Sequence, residues 1–108
     1  MTAVNMTAEL FNQSVIEGGK PVLVEFWAPW CVYCRRITSA MSKVAEQYAD
    51  TVVVGQVNID EEAQLAEKEQ IEVVPTLVLY QNGQTLGSIV APESKAAIEA
   101  FIQETLSK

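Results

Sequence analysis

The stretch that decides the fold is VLVEFWAPWCVYC, residues 22–34. Its first seven residues are almost continuously apolar, a pattern typical of a strand that is buried on both faces of a sheet. Behind it, apolar residues recur at helical spacing, at Ile37, Met41, Val44 and Tyr48. The pattern therefore predicts a buried strand that turns directly into a helix, with Cys31 and Cys34 at the start of that helix.

The surrounding chain predicts an alternation of strands and helices. An extended start over residues 3–6 precedes a helix over residues 8–17, and the cysteine helix ends near residues 49–50. A buried strand over residues 51–58 and a polar helix over residues 61–70 follow, which gives a βαβ unit with parallel strands. A hairpin over residues 76–90 turns at Asn82-Gly83, and Ser94 caps the last helix. We therefore expect an α/β fold with a central mixed sheet of about five strands flanked by four helices.

Length and composition limit the class of protein. A chain of 108 residues fits one domain, residues 1–108, and 49% hydrophobic with 19% charged residues is a globular balance. The formal net charge of −7, with no His, leaves no basic patch for phosphates, so we expect no nucleic-acid partner. Neither a signal peptide nor a membrane span is expected, and we interpret the protein as a cytoplasmic monomer.

The two cysteines carry the chemistry. Cys31 lies where unpaired backbone N–H groups and the positive end of a helix dipole favour an anion, here a thiolate. Cys34, one turn further along, is close enough to attack a mixed disulfide formed at Cys31 and to release the product. A purely structural cysteine pair and a metal site shared by two chains are the alternatives. We expect no metal, because one chain with no His and two Cys cannot supply a four-ligand zinc site from these residue types, and no cofactor, since no phosphate-binding glycine motif is present.

Three further groups of residues accompany the cysteines. Glu25 interrupts the buried strand, so we expect a raised pKa and a role in moving protons for Cys34; the alternative is a side chain that reaches solvent. Pro75 precedes a strand, and from the residues alone a trans peptide is expected there. The aromatic residues Trp30 and Tyr33 lie where they could contact a partner.

Several separated motifs resemble the thioredoxin family over nearly the whole chain: FWAPWC at residues 26–31, then Cys34, Asn58-Ile59-Asp60, Val74-Pro75-Thr76 and Asn82-Gly83. The resemblance implies a protein-disulfide reductase in which Cys31 is the exposed nucleophile and Cys34 resolves. It implies disulfide-containing substrate proteins and a thioredoxin reductase or similar electron donor as partners. It also implies a cis peptide at Pro75. The residues expected at the substrate groove are Trp30, Val32, Tyr33, Val74, Ala91 and Pro92.

The sequence departs from the family pattern at five places, one of which is Ser39, where a kink-forming proline is typical in the cysteine helix. Val32-Tyr33 stands where Gly-Pro is typical, and a Tyr before the second Cys is similar to glutaredoxins. Glu25 replaces an Asp and Gln56 a Lys, so we expect a carboxyl that is harder to ionise. Ala91-Pro92 replaces Gly-Ala, which narrows the groove and removes a backbone donor. A glutaredoxin-like, oxidant or isomerase activity and a non-catalytic binding module therefore stay as alternatives.

Overall fold

A five-stranded mixed sheet forms the centre of the computed structural model, which describes residues 3–107. The spatial order of its strands is β1-β3-β2-β4-β5. The strand β2 pairs in parallel with β3 and antiparallel with β4, so it lies in the middle of the sheet. The strands are β1 Val4–Asn5, β2 Val22–Trp27, β3 Val53–Asn58, β4 Thr76–Gln81 and β5 Gln84–Val90.

Within residues 3–107, four helices flank the sheet, as predicted. They are α1 Ala8–Asn12, α2 Val32–Gln47, α3 Ala63–Lys68 and α4 Lys95–Leu106, and α1 continues into a π-helical turn over Gln13–Glu17. The predicted caps are present, because Thr7 accepts a hydrogen bond from the Leu10 N–H and Ser94 accepts one from the Ala97 N–H. The hairpin turn is also confirmed, with positive φ at both Asn82 and Gly83.

Two apolar layers cover the two faces of the sheet. On one face, α2 and α4 contribute Ile37, Met41, Val44, Ile98 and Ile102, which pack on Leu23, Val54, Leu77 and Leu79. On the other face, α1, its π-helical turn and α3 contribute Phe11, Val15 and Leu65, which pack on Val22, Val24, Phe26, Val57 and Val78. Alternate residues of β2 therefore serve opposite cores, which explains why the whole strand is apolar.

The strand β3 and the helix α3 are shorter than the sequence pattern predicts, as are β1 and the end of α2. The N–H groups of Thr51 and Val52 both bond to the carbonyl of Tyr48, so these residues finish the turn after α2 instead of starting β3. The start of α3 is delayed because the Asn58 side chain accepts from the Asp60 N–H and forms a local turn. Its end comes early, since Gln70 has a φ of 61°.

Candidate active site

The two cysteines lie where the central strand β2 passes into helix α2. Cys31 is the N-cap residue of α2, and its Sγ accepts a hydrogen bond of 3.1 Å from the Cys34 N–H. The two residues form a disulfide, with their Cα atoms 5.3 Å apart. A sulfur at an N-cap faces the unpaired N–H groups of the first helical turn, which stabilise negative charge there. The predicted strand-to-helix position is confirmed.

The two sulfurs differ in accessibility. Cys31 is 8% exposed and Cys34 is 1% exposed, and both pack with Ala28 in a small cluster between the end of the sheet and α2. The family resemblance implies an exposed nucleophile at Cys31; in the disulfide form this residue is largely covered, yet it remains the more accessible of the two. An incoming disulfide would therefore meet Cys31 before Cys34.

Glu25 is a buried carboxyl at the centre of the sheet. It is 0% exposed, so the alternative in which its side chain reaches solvent is wrong. The Gln56 amide donates a 2.9 Å hydrogen bond to Oε1, and Oε2 has no hydrogen-bond partner within residues 3–107. Burial raises the pKa of Glu25 from 4.5 to about 7, and the hydrogen bond from Gln56 lowers it by less.

The face on which Glu25 lies follows from strand alternation. Leu23, two residues earlier in β2, packs with the α2 residues Ile37 and Met41. Side chains two apart in a strand point to the same face, so Glu25 also lies on the face covered by α2, the helix that contains Cys34.

A cis peptide joins Val74 to Pro75 directly before β4. The family resemblance implied this isomer, whereas the trans peptide expected from the residues alone is wrong. The trans preference of an X–Pro bond is only about 0.5–1 kcal/mol, which is small enough for the surrounding fold to decide. The Val74 carbonyl oxygen lies 3.8 Å from Cys31 Sγ, and the Pro75 carbonyl accepts a 2.9 Å hydrogen bond from the Ala91 N–H.

The residues expected at the substrate groove differ in exposure. Trp30 and Val32 are strongly exposed, at 66% and 59%, while Val74 packs half-buried against the cysteine cluster. Ala91 is half-buried with a φ of 47°, and Pro92 is buried. The half-buried Tyr33 donates a 2.9 Å hydrogen bond to the Pro92 carbonyl.

Two features beside the cysteines were not predicted. The Trp30 indole N–H donates to Asp60 Oδ1 at 3.4 Å, which ties this exposed aromatic ring to the loop after β3. Val73, 52% exposed, adds an apolar side chain beside the Val74-Pro75 peptide. Only the position of Val73 had a signal in the sequence, since Val73 and Val74 form an apolar pair directly before Pro75.

Two other kinds of site are absent from residues 3–107. No cluster of three or more His, Cys, Asp or Glu side chains in that range could hold a metal ion. Within the same range, no helix has the length and apolar character needed to cross a membrane.

Comparison with known proteins agrees with the geometry. The thioredoxin family model matches residues 2–104. Thioredoxin 1 of Synechococcus elongatus is 38% identical over 104 residues, which cover 96% of this chain and 97% of the relative. The thioredoxin of Porphyra purpurea is 31% identical over 107 residues, or 99% and 100% of the two chains. The thioredoxin of Alicyclobacillus acidocaldarius is 36% identical over 94 residues, or 87% and 90%.

The family match, the relatives and the cysteine pair agree over nearly the full chain. The expected fold, a central mixed sheet with helices on both faces, is the one observed. The pair at Cys31 and Cys34 is capable of forming a disulfide and of exchanging it with another. This chain is a thiol–disulfide oxidoreductase and belongs to the thioredoxin family.

Proposed function

We propose that the protein reduces disulfides in partner proteins, with Cys31 as the attacking sulfur and Cys34 as the resolving sulfur. The observation that carries this assignment is the position of Cys31 at the N-cap of α2, with the Cys34 N–H directed at its sulfur. A thiolate at this position is stabilised by the helix terminus, and the thiolate is the form of cysteine that attacks disulfides.

The exchange proceeds in two displacements. The Cys31 thiolate attacks one sulfur of the substrate disulfide; an S–S bond forms between protein and substrate, and the first substrate sulfur leaves as a thiolate. The Cys34 thiolate then attacks the Cys31 sulfur and displaces the second substrate sulfur. Two electrons pass to the substrate, and the protein is left with the Cys31–Cys34 disulfide that the structure contains.

Glu25 manages the proton of Cys34 in this scheme. Its carboxylate accepts the thiol proton as Cys34 becomes the nucleophile, and it returns a proton when the disulfide is reduced again. A group that acts as both acceptor and donor works best when its pKa is close to the operating pH, and the pKa of Glu25 is about 7. Its place on the sheet face under α2 supports this role, and water is the expected carrier over any remaining gap.

The groove beside Cys31 suits an extended segment of a partner protein. Val74 lies next to the sulfur and offers its backbone to a substrate strand, while the cis Val74-Pro75 peptide shapes that wall. Trp30 and Val32 supply exposed apolar contacts, and we place Ala91 and Pro92 at the opposite wall with Tyr33.

We further propose that a thioredoxin reductase supplies the electrons, that the protein works in the cytoplasm as a monomer, and that the couple needs no bound cofactor. The names and high coverage of the relatives support the first point. A reducing compartment supports the second, because a reductase must be kept in its dithiol form. Both redox sulfurs lie in one chain, which supports activity as a monomer and without a bound cofactor.

The test is an insulin reduction assay driven by NADPH and a thioredoxin reductase. Wild-type protein should reduce the insulin disulfides, and Cys31→Ser should abolish the reaction, because no attacking sulfur remains. Ser88→Ala, a change at an exposed position of β5 outside the substrate groove, is the matched control and should retain the rate. Wild-type protein that reduces no insulin, or a Cys31→Ser variant that still does, would contradict the proposal.

A glutaredoxin-like activity is the second candidate, and Tyr33 is the observation that favours it. Comparison of turnover with glutathione and with the thioredoxin reductase separates the two, since only a glutaredoxin-like protein is recycled efficiently by glutathione. A non-catalytic binding module is tested in cells with Cys31→Ser/Cys34→Ser protein, which keeps full function only if the sulfurs are dispensable.

A further inference from the structure

A groove between α2 and the start of α4 concentrates positive charge on an acidic molecule. The chain has seven Lys and Arg residues against fourteen Asp and Glu, yet three of the seven line this one groove: Arg36, Lys43 and Lys95. The groove encloses about 390 Å³. One acidic residue, Glu93, also lines the groove, so its lining carries more basic than acidic side chains within a protein of net charge −7.

Two of these cations are available to a partner. Lys95 is occupied, because its Nζ lies 2.6 Å from Glu99 Oε1 and 2.8 Å from Gln47 Oε1, and these bonds fix one end of the groove. Arg36 and Lys43 are exposed and form no ion pair with any residue between 3 and 107. They lie seven residues apart on α2, which places both on the same face of the helix.

The floor of the groove between these cations is apolar. Ile37 is buried there and Ala40 is half-buried, while Tyr33 closes the groove at the end towards the cysteines. Tyr33 also packs against the cluster of Cys31 and Cys34, so the groove begins next to the redox site. Charged groups at the rim of an apolar surface act mainly on the encounter and on the choice of partner.

We propose that this groove, lined by Arg36 and Lys43, receives an acidic segment of the disulfide-bearing partner protein. The inference rests on the proposed reductase function and adds a preference to it. Arg36 and Lys43 lie about 8 Å and about 18 Å beyond Cys31 along the axis of α2. An extended chain rises about 3.3 Å per residue, so the matching carboxylates lie about two to five residues from the reacting cysteine of the partner.

The test uses two disulfide peptides that differ only in charge. One carries Glu at the second to fifth positions on both sides of its cysteine, and the other carries Gln at the same positions. We expect reduced wild-type protein to react with the Glu peptide about three to ten times faster at low salt, the range that two exposed ion pairs supply. The preference should fade in about 0.5 M NaCl, where exposed charges are screened.

The matched variants are Arg36→Glu/Lys43→Glu and Lys20→Glu. The double variant should reverse the preference, so that the Gln peptide reacts faster. The control changes an exposed lysine before β2, at the end of the strand remote from Cys31, and should keep the wild-type preference. The ratio of the two peptide rates cancels any general change in thiol reactivity, and thermal melting confirms that each variant is folded.

The outcomes separate this inference from the proposed function. Equal rates with both peptides, or a wild-type preference retained by the double variant, would overturn the groove assignment and leave the reductase function standing. Failure of wild-type protein to reduce either peptide would instead overturn the reductase function.

Discussion

At the scale of single residues, Glu25 is the most consequential departure from an ordinary buried strand. Its carboxyl is fully covered, one oxygen has a single amide donor and the other has none among residues 3–107. Ionisation there costs free energy, which is why its pKa rises to about 7. The burial that raises this pKa therefore makes the folded protein less stable at high pH.

Glu25→Gln should remove this pH dependence. The folded state holds the carboxyl proton up to a pKa of about 7, whereas an unfolded carboxyl loses it near 4.5. The free energy of unfolding of the wild type therefore falls as pH rises between these values, by about 3 kcal/mol in all. We expect the Glu25→Gln variant to match the wild type at pH 4 and to exceed it by about this amount at pH 8.

Urea unfolding at several pH values measures the effect. Glu17→Gln, at an exposed position, is the control and should leave the curve unchanged. A constant difference between Glu25→Gln and the wild type across this pH range would show that the carboxyl does not titrate as described.

Gln56→Lys should lower the pKa of Glu25. The amide of Gln56 donates to Glu25 Oε1, and an ammonium at the same position would favour the carboxylate by direct attraction. Carbon-13 NMR of the Glu25 carboxyl measures the change, which we expect to be about 1 pH unit or more downward. Gln64→Lys, on the exposed side of α3, should have no such effect, and an unshifted titration in Gln56→Lys would refute the pairing.

Single residues also mark where sequence reasoning fails. The burial of Glu25 was one of two open alternatives, because a strand pattern does not show whether a long side chain bends out at the strand end. For the Val74–Pro75 bond, the trans isomer predicted from the residues alone was wrong, and the cis isomer implied by the family resemblance is the one observed. The residues next to Pro75 in sequence give no sign that the Val74 carbonyl lies 3.8 Å from the Sγ of Cys31, 43 residues away.

At the scale of elements, the β2–α2 junction and its link to α4 hold the site together. Tyr33, in the first turn of α2, donates its hydroxyl to the Pro92 carbonyl just before α4. This bond joins helix α2, which carries the cysteines, to the Ala91-Pro92 segment that we place at the wall of the substrate groove. The bond is partly buried, so removal of the Tyr33 hydroxyl leaves the Pro92 carbonyl oxygen without this donor where water has limited access, and this costs free energy.

Tyr33→Phe should lower the free energy of unfolding by about 1 kcal/mol, the usual net value of such a hydrogen bond. Tyr48→Phe is the matched control, because the Tyr48 hydroxyl accepts only a surface bond of 3.2 Å from Gln103. We expect the control to cost less than half as much. Equal losses in urea unfolding, or none for Tyr33→Phe, would contradict a structural role for the Tyr33–Pro92 bond.

Element types were predictable where periodicity was long, and element ends were not. The apolar run of β2 and the spacing of Ile37, Met41 and Val44 determine a strand and a helix with little ambiguity. The early end of α3 depends on the positive φ of Gln70, for which no glycine or asparagine gave a signal.

At the scale of the whole molecule, a sheet covered by helices on both faces was predictable, because the spacing of apolar residues shows which face of each strand and helix is buried. The basic groove was not predictable in the same way. Its cations come from two elements far apart in sequence, α2 and α4, and the overall charge of −7 conceals them. Only the packing of α2 against α4 brings Arg36 and Lys43 to a common concave surface with Lys95.

The central claim is that the sulfur of Cys31 is the reactive nucleophile and that Cys34 follows it. The most direct measurement is alkylation of the reduced protein at pH 7 with less than one equivalent of iodoacetamide, followed by peptide mass mapping. The helix N-cap position and the greater exposure of Cys31 predict that nearly all label is found there. Label shared equally between the two cysteines, or found mainly on Cys34, would contradict the account.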